Sequence, residues 1–580
     1  MEHKILIPRP EHPNPQMKRQ AWLNLNGEWQ FERDRAVSGK ARRLYEAESL
    51  SERITVPFCM ESALSGIGDK DFCECVWYRK EIELSEDWLK EGRRVILHIG
   101  ACDYRTDVYV NGRHVGLTHR GGYISFSYDI TEPLKAGKNV ITISAEDYLR
   151  SREQPAGKQS TRYASYGCFY TRTTGIWQTV WLENVPADYI EKADYTCNVE
   201  NASLTVSAKL VGGAGKVLSA AAYWNGKKVG QASAVATNRV CDVVVPLSEV
   251  HLWELGKGGL YDLELSFGED TVDSYFGMRT LALDDQALVI NGKKVFQRTV
   301  LDQGFYPDGI YTAPTEQALI DDITRSMACG FNGARLHQKV FEPLFLYHCD
   351  RLGYMVWDEH CSWGLNLKDA TAWKGFLTEW IEIVERDRNH PAIIGWCPFN
   401  ETHESKQGCD LDLIADVAAL TRRLDPTRPV IDTSGWVHAE GASDIIDWHD
   451  YDQNPETFRQ RYIDVANGTS IVTRDNKRLP SFPLLPRFIS EYGGIKWDVN
   501  SNLDNAWGYG NAPKTEEEFL ERFKGLAEAL LFNPFITGLC YTQLTDVEQE
   551  TNGLYTYDRQ AKFDPAYFRA VLTQKAAIEE

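Results

Sequence analysis

No run of about 18 apolar residues occurs in this 580-residue chain, so the sequence offers no helix able to cross a bilayer. A basic surplus is also missing. Against 83 Asp and Glu stand only 63 Lys and Arg, for a net charge of -20 and no long Lys/Arg run, and such a surface repels a phosphate backbone, which excludes nucleic acid as a partner. The amino-terminal MEHKILIPRPEHPNPQ is charged and proline-rich where a secretory leader needs an apolar core. A cytoplasmic protein without a membrane partner is expected. The 13 cysteines are odd in number and irregular in spacing, which does not suit a disulfide framework and fits a reducing compartment. Cys73 and Cys75 form a C-x-C without a second ligand pair, and Gln407 breaks the H-E-x-x-H that His403 and Glu404 begin, so no metal is expected. The chain carries neither a P-loop nor a glycine-rich phosphate loop after a strand, and no cofactor is expected.

What is present points to several globular units. A chain of 580 residues exceeds the size at which one core keeps growing. The 12% aromatic content, with 17 Trp, favours clefts that hold flat ligands such as sugars. Short alternating segments such as RVILHIG, TDVYVNGRHVG and NVITISAED, separated by turn clusters, predict a β-sandwich of jelly-roll type over residues 1–185. The strands SLTVSAKLV, VCDVVVPL and YDLELSFG predict an immunoglobulin-like β-sandwich over 186–284. From 285 to 580 the rhythm changes to strand then helix. Eight apolar strands, beginning near 295, 332, 354, 393, 429, 444, 488 and 536, alternate with helical stretches such as 371–389 and predict a (β/α)8 TIM barrel.

Barrel active sites lie at the carboxyl ends of the strands. Those ends are rich in polar groups here: Asp302 and Gln303, Arg335 and His337, Asp358 and Glu359, Asn400 and Glu401, Asp432, Asp447, His449 to Tyr451, Glu491 and Tyr492, Tyr541 and Gln543. Glu401 follows the fourth strand and Glu491 the seventh, so the two carboxylates can face one another across the axis. A facing pair is what glycoside hydrolysis requires, with one carboxyl protonating the leaving oxygen and the other attacking the anomeric carbon or activating water. Glu404 falls in the loop beyond and is expected to be solvated or supporting. Asp302 lies in LDQGFYPDG, which either shapes the pocket or forms a structural turn around Pro307 and Gly309.

RDRNHPAIIGWCPFNE (386–401) resembles the acid/base signature of glycoside hydrolase family 2, and GFNGARLHQ (330–338), with Asn332 and Arg335 in matching places, resembles its other signature. FISEYGG resembles the nucleophile strand, and LNLNGEW, VWYRK and TTGIWQTVWLE extend the likeness into the amino-terminal half. The resemblance implies retention of the β configuration, with Glu401 as general acid/base, Glu491 as nucleophile and Asn400 gripping the sugar 2-hydroxyl. Tyr492, beside Glu491, is expected to orient it, and His337 and His449 to bind hydroxyls. Two or three of Trp396, Trp448, Trp497, Trp507, Tyr492 and Tyr541 are expected to stack on sugar faces.

Two departures bear on the sugar. Glucuronidases of the family carry an Asn-x-Lys motif where this chain has Glu550, Thr551 and Asn552, and Glu550 would repel a uronate unless protonated. Where galactosidases and glucuronidases commonly send an aspartate from the first β domain, Phe169 stands here, with Arg172 a candidate replacement. The expectation is an exo-acting retaining β-glycosidase, β-galactosidase-like first, with β-glucuronidase, β-galacturonidase, β-mannosidase and β-arabinosidase as alternatives. A silent carbohydrate-binding protein is the alternative of another class. The partner is a carbohydrate or glycoconjugate, and the β domains are compatible with a homo-oligomer.

Overall fold

The computed structural model describes residues 7–284, 287–402, 410–435, 437–466, 485–499 and 505–579. The first part is two antiparallel sheets, one of four strands and one of six, packed around Trp29, Phe31, Tyr78, Leu97, Ile141 and Ile143. Two further sheets, of three and four strands, follow between Tyr189 and Phe276. Val240–Pro246 shows why they form: Cys241, Val243 and Val245 are buried while their neighbours are exposed, the period-two pattern of a strand with one wet face. The hairpin from Val217–Trp224 to Lys227–Val235 turns on Asn225 and Gly226, whose φ of 49° and 77° are the two left-handed positions of a type I′ turn.

The carboxyl-terminal part is built on a parallel sheet whose strands are buried throughout, as expected when helices cover one face and the barrel core the other. In chain order its strands are Gln297–Asp302, Gly333–Leu336, Met355–Glu359, Ile393–Cys397, Ile446–Asp450, Arg487–Gly493 and Gly538–Thr542. The first pairs with the last. Between Ile393–Cys397 and Ile446–Asp450 lies the segment predicted from 429. It is held by single bridges, Trp396 to Val430 and Asn400 to Ser434, rather than by a continuous ladder. Counting it fifth, all eight barrel positions fall where the apolar runs predict.

The outer helices are amphipathic. Ala370–Asp387 is capped by Asp369 and buries Phe376, Trp380 and Ile383, and Glu516–Leu531 is capped by Thr515 with three glutamates in its first turn, where the helix dipole favours them. No described helix is long and apolar enough to cross a membrane.

The β sheets are pinned to the barrel by buried polar contacts. Glu379 accepts from the Tyr123 amide at 2.9 Å, Tyr275 donates to Asp350 at 2.8 Å, and the Trp253 indole donates to the Asp350 carbonyl at 2.7 Å. One loop of the first β part, residues 156–160, reaches the barrel mouth. The Ala156 amide donates to the Trp363 carbonyl at 2.8 Å, and a β-carbon on Gly157 would meet the Gln338 carbonyl at 2.3 Å, so only glycine permits this approach.

Candidate active site

Glu401 lies just beyond the fourth strand with a φ of 47°, a backbone conformation that costs a non-glycine residue energy and collects at functional sites. Its amide is fixed by the Ser434 carbonyl at 2.7 Å, and its side chain remains 14% exposed, which leaves it open to a ligand. Glu491 enters from the seventh strand. The pairing of that strand slips by one residue against both neighbours, between Ile489 and Tyr492 on one side and opposite Trp448/His449 on the other. This bulge at Ser490 re-aims the chain. Phe488 stacks on Trp357 inside the barrel, and without the slip Glu491 would point outward.

The two carboxylates and a ring nitrogen of His449 bring their nearest atoms within 4.8 Å of one another. His449 Nδ1 lies 2.7 Å from Glu401 Oε1 and 3.3 Å from Glu491 Oε2. This is also the one group among the described residues whose donor atoms converge closely enough for a metal ion, but the short His449–Glu401 contact is that of a hydrogen bond. Arg335 donates to Glu491 at 2.8 Å and to the Asn400 side-chain oxygen at 2.7 Å, and also to Glu359. The Tyr451 hydroxyl donates to the second oxygen of Glu491. Burial alone would push the Glu491 carboxyl up, yet His449, His337, Arg335 and Lys158 together hold it well below the usual carboxylate range. Burial likewise opposes ionisation of Glu359, but Arg335 and His337 bring it down to about 2. The His337 ring stands 3.1 Å from Glu359 and 3.9 Å from Glu491, inside the site as expected. The Asn400 amide nitrogen is fully buried without a hydrogen-bond partner, a donor available to a sugar hydroxyl.

Several expected ligands are elsewhere. Tyr492 does not orient Glu491: the bulge turns it outward, where it packs on Phe458 and Tyr541 and its hydroxyl finds no partner. Tyr451 performs that role. Trp448 stacks on Tyr462 of an outer helix, and Tyr541 packs on Phe523, so both belong to the barrel wall. Trp396 and Trp497 pack there too, against Trp380 and against Phe519 and Phe563. Among aromatics the site instead receives Tyr509, stacked on Tyr451, with Trp507 edge-on to it. Asp302 faces away from the axis. It accepts from the Gly304 amide at 2.9 Å, and its charged neighbours are Asp322, Arg559 and Lys339. Arg172 donates to the backbone carbonyls of Arg162, Lys70 and Tyr163 and covers the Phe72 ring, so it does not replace the missing aspartate. Glu404 lies outside the described residues, as do His403 and Gln407.

Tyr451→Phe lowers kcat by about 10- to 100-fold through loss of a hydrogen bond to a charged group, whereas Tyr492→Phe leaves kcat within about twofold of wild type; steady-state rates on one chromogenic β-glycoside decide it.

Sequence models described as "Glycosyl hydrolases family 2, sugar binding domain" and "Glycosyl hydrolases family 2, TIM barrel domain" match residues 23–186 and 281–493. The chain belongs to glycoside hydrolase family 2. Within the family it is similar to the dog β-glucuronidase, 26% identical over 74% of this chain and 70% of that one. A putative β-glucuronidase of Formosa agariphila is 28% identical over 61% of this chain, which spans 44% of that protein's length. A β-galactosidase of Thermoanaerobacter pseudethanolicus is 26% identical over 67% of this chain and 52% of that one. In fold the chain is similar to the solved β-glucuronidase of Lactobacillus rhamnosus, with a TM-score of 0.80, 18% identity, and 97% and 99% of the two chains covered.

The family motifs account for Arg335, Asn400, Glu401 and Glu491, and the structure adds two groups of residues that they do not contain. One lies behind His449. Its Nε2 meets Ser434 Oγ at 3.1 Å, Ser434 donates to Asp447 at 2.6 Å, and His438 bridges Asp432 at 2.6 Å and the Asp447 carbonyl at 2.9 Å. Burial would lower the His438 imidazole, but Asp432 and Asp447 raise it to about 9. Its folded value exceeds the unfolded value of about 6.5, so its contribution to stability is complete below that pH and lost as pH rises through about 9. Thermal unfolding of wild type and His438→Gln from pH 6 to 10 therefore shows a gap that narrows between about pH 6.5 and 9 and then levels off, by roughly 3 kcal/mol in unfolding free energy.

The other group comes from the first β part. Tyr170 donates to Glu550, which also accepts from Asn552 at 2.9 Å, and Asn552 in turn accepts from Gln543 at 2.8 Å. Asn552 is fully buried and acts behind Glu550. Lys158 lies over the Trp363 indole at 4.0 Å, and the Trp363 indole nitrogen donates to the Asn400 carbonyl at 3.0 Å. Local periodicity marks neither residue. They become visible only when the β part docks on the barrel.

Proposed function

We propose that the protein is an exo-acting β-glycosidase that retains configuration by double displacement, with Glu491 as nucleophile and Glu401 as general acid/base. The observation that carries this reading is the approach of the two carboxylates to within 4.8 Å. Nearest oxygens this close favour the closely spaced pair of direct attack, about 5 to 5.5 Å between carboxyl groups, over the wider gap of about 6.5 to 9.5 Å that holds water in inversion. Charge supports the division of roles: Arg335 and Tyr451 bond Glu491 and keep it anionic, while Glu401 is the carboxyl with access to a leaving group. In the first half-reaction Glu491 attacks the anomeric carbon, the bond to the aglycone oxygen breaks, and Glu401 gives that oxygen its proton. Water then attacks the glycosyl ester with Glu401 taking the proton back, and Glu491 leaves as carboxylate. Asn400, held by Arg335, has free amide hydrogens to offer the sugar 2-hydroxyl, a contact that tightens in the oxocarbenium-like transition state.

The test is proton NMR of the first product released from a β-glycoside. A β-anomer supports retention, and an α-anomer excludes it.

A further inference from the structure

The Lys158 ammonium is placed where a soluble protein rarely leaves one. The residue is 6% exposed, its Nζ lies 4.0 Å from the Trp363 ring, and among the described residues it makes no hydrogen bond and no ion pair within 4 Å. The Trp363 indole it covers donates to the Asn400 carbonyl next to Glu401, and the Glu550, Glu491 and Glu401 carboxylates act on the ammonium, so it lies beside the site. A cation–π contact offsets part of the cost of burying an ammonium, but not the loss of its hydration or of a counter-ion. The position is not accidental slack either. Its own carbonyl accepts from the Tyr170 amide at 2.8 Å, the preceding amides of Ala156 and Gly157 donate to the Trp363 carbonyl at 2.8 and 3.2 Å, and Gly157 allows no side chain against Gln338. A loop fixed this firmly holds the charge ready for a ligand.

We propose that Lys158 is the specificity residue for a carboxylate on the substrate sugar, so that the enzyme takes acidic β-glycosides, a β-D-glucuronide or β-D-galacturonide, in preference to neutral ones. The proposal rests on the β-glycosidase reading above and adds the substrate class. A sugar hydroxyl would give the ammonium an acceptor but no charge, whereas a carboxylate supplies both. Glu550, the residue that argues against a uronate in the sequence, has both oxygens engaged by Tyr170 and Asn552. Burial pushes its carboxyl up, against the pull of Lys158, Tyr170 and Asn552, which weakens its repulsion of a second acid. The cation that reads the substrate thus comes from the β part of the chain, at a position outside both family 2 signatures.

Matched chromogenic pairs test this: 4-nitrophenyl β-D-glucuronide against the β-D-glucoside, and the β-D-galacturonide against the β-D-galactoside. In wild type, kcat/KM for at least one acid exceeds that of its neutral partner by about 100-fold or more, and Lys158→Met lowers that ratio by on the order of 100-fold, with Lys158→Arg restoring part of it. A wild-type preference for the neutral sugars, or an equal loss on both members of each pair in Lys158→Met, overturns the proposal. Should wild type hydrolyse none of the four and no β-mannoside or β-arabinoside, the hydrolase reading fails, and calorimetric binding of free D-glucuronate and D-galacturonate still decides the role of Lys158. Binding in wild type that Lys158→Met abolishes supports it; no binding of either acid overturns it.

Discussion

Glu491→Gly lowers kcat on an aryl β-glycoside by at least about 10⁴-fold, and added azide restores turnover with formation of the α-glycosyl azide. The carboxylate lost is the one that Arg335, His449 and Tyr451 converge upon, so no neighbouring group can replace it as the atom that bonds to the anomeric carbon. Glycine leaves a space of carboxylate size against cationic neighbours, which suits a small anion. Azide attacks from the face opposite the aglycone, a carbon–nitrogen bond forms as the carbon–oxygen bond breaks, and Glu401 still protonates the departing oxygen. The configuration of the azide adduct, read by NMR, identifies the face from which Glu491 acts. Turnover within tenfold of wild type would remove Glu491 from the mechanism.

Glu401→Ala divides substrates by their leaving groups. For a phenyl or alkyl β-glycoside, whose departing oxygen needs a proton, kcat/KM falls by about 10² to 10⁴-fold, while a dinitrophenyl glycoside, which departs without one, falls by less than about tenfold in the same parameter. The second half-reaction also loses its base, so the glycosyl ester on Glu491 accumulates and mass spectrometry of the quenched protein shows one sugar added. Azide intercepts that ester from the face the aglycone left and gives the β-azide, the opposite adduct from Glu491→Gly. Equal losses on all leaving groups would assign Glu401 to binding rather than to proton transfer.

Both glutamates are legible in the sequence because each ends a buried apolar strand and lies in a recognisable motif. The eight barrel positions are legible for the same reason, since strands covered on both faces read as continuous apolar runs. What the sequence hides is parity and distance. A single extra residue at Ser490 reverses which side chains of the seventh strand face the axis, and no local pattern announces it. Tyr492 therefore looks like the nucleophile's companion and is not, while Tyr451, two positions after His449 on the sixth strand, is. Trp448, Tyr541 and Asp302 are misplaced by the same ambiguity, because a strand end does not say which of two neighbours turns inward. Lys158 and Tyr170 lie more than two hundred residues before Glu401, and nothing short of the docked structure joins them to it.

The loop that carries Lys158 is seated on the barrel by the backbone of Trp363, and Tyr170 reaches across to Glu550. A ligand in the cleft would thus be gripped from both sides of a seam between two separately cored parts of the chain. Filling the cleft and closing the seam are then one thermodynamic event, because a ligand that needs both sides adds its binding free energy to the docked state alone. Heat resistance would rise with occupancy, parts with their own cores would melt as one unit under saturating ligand, and a mutation that loosens the seam far from either glutamate would first appear as weaker affinity.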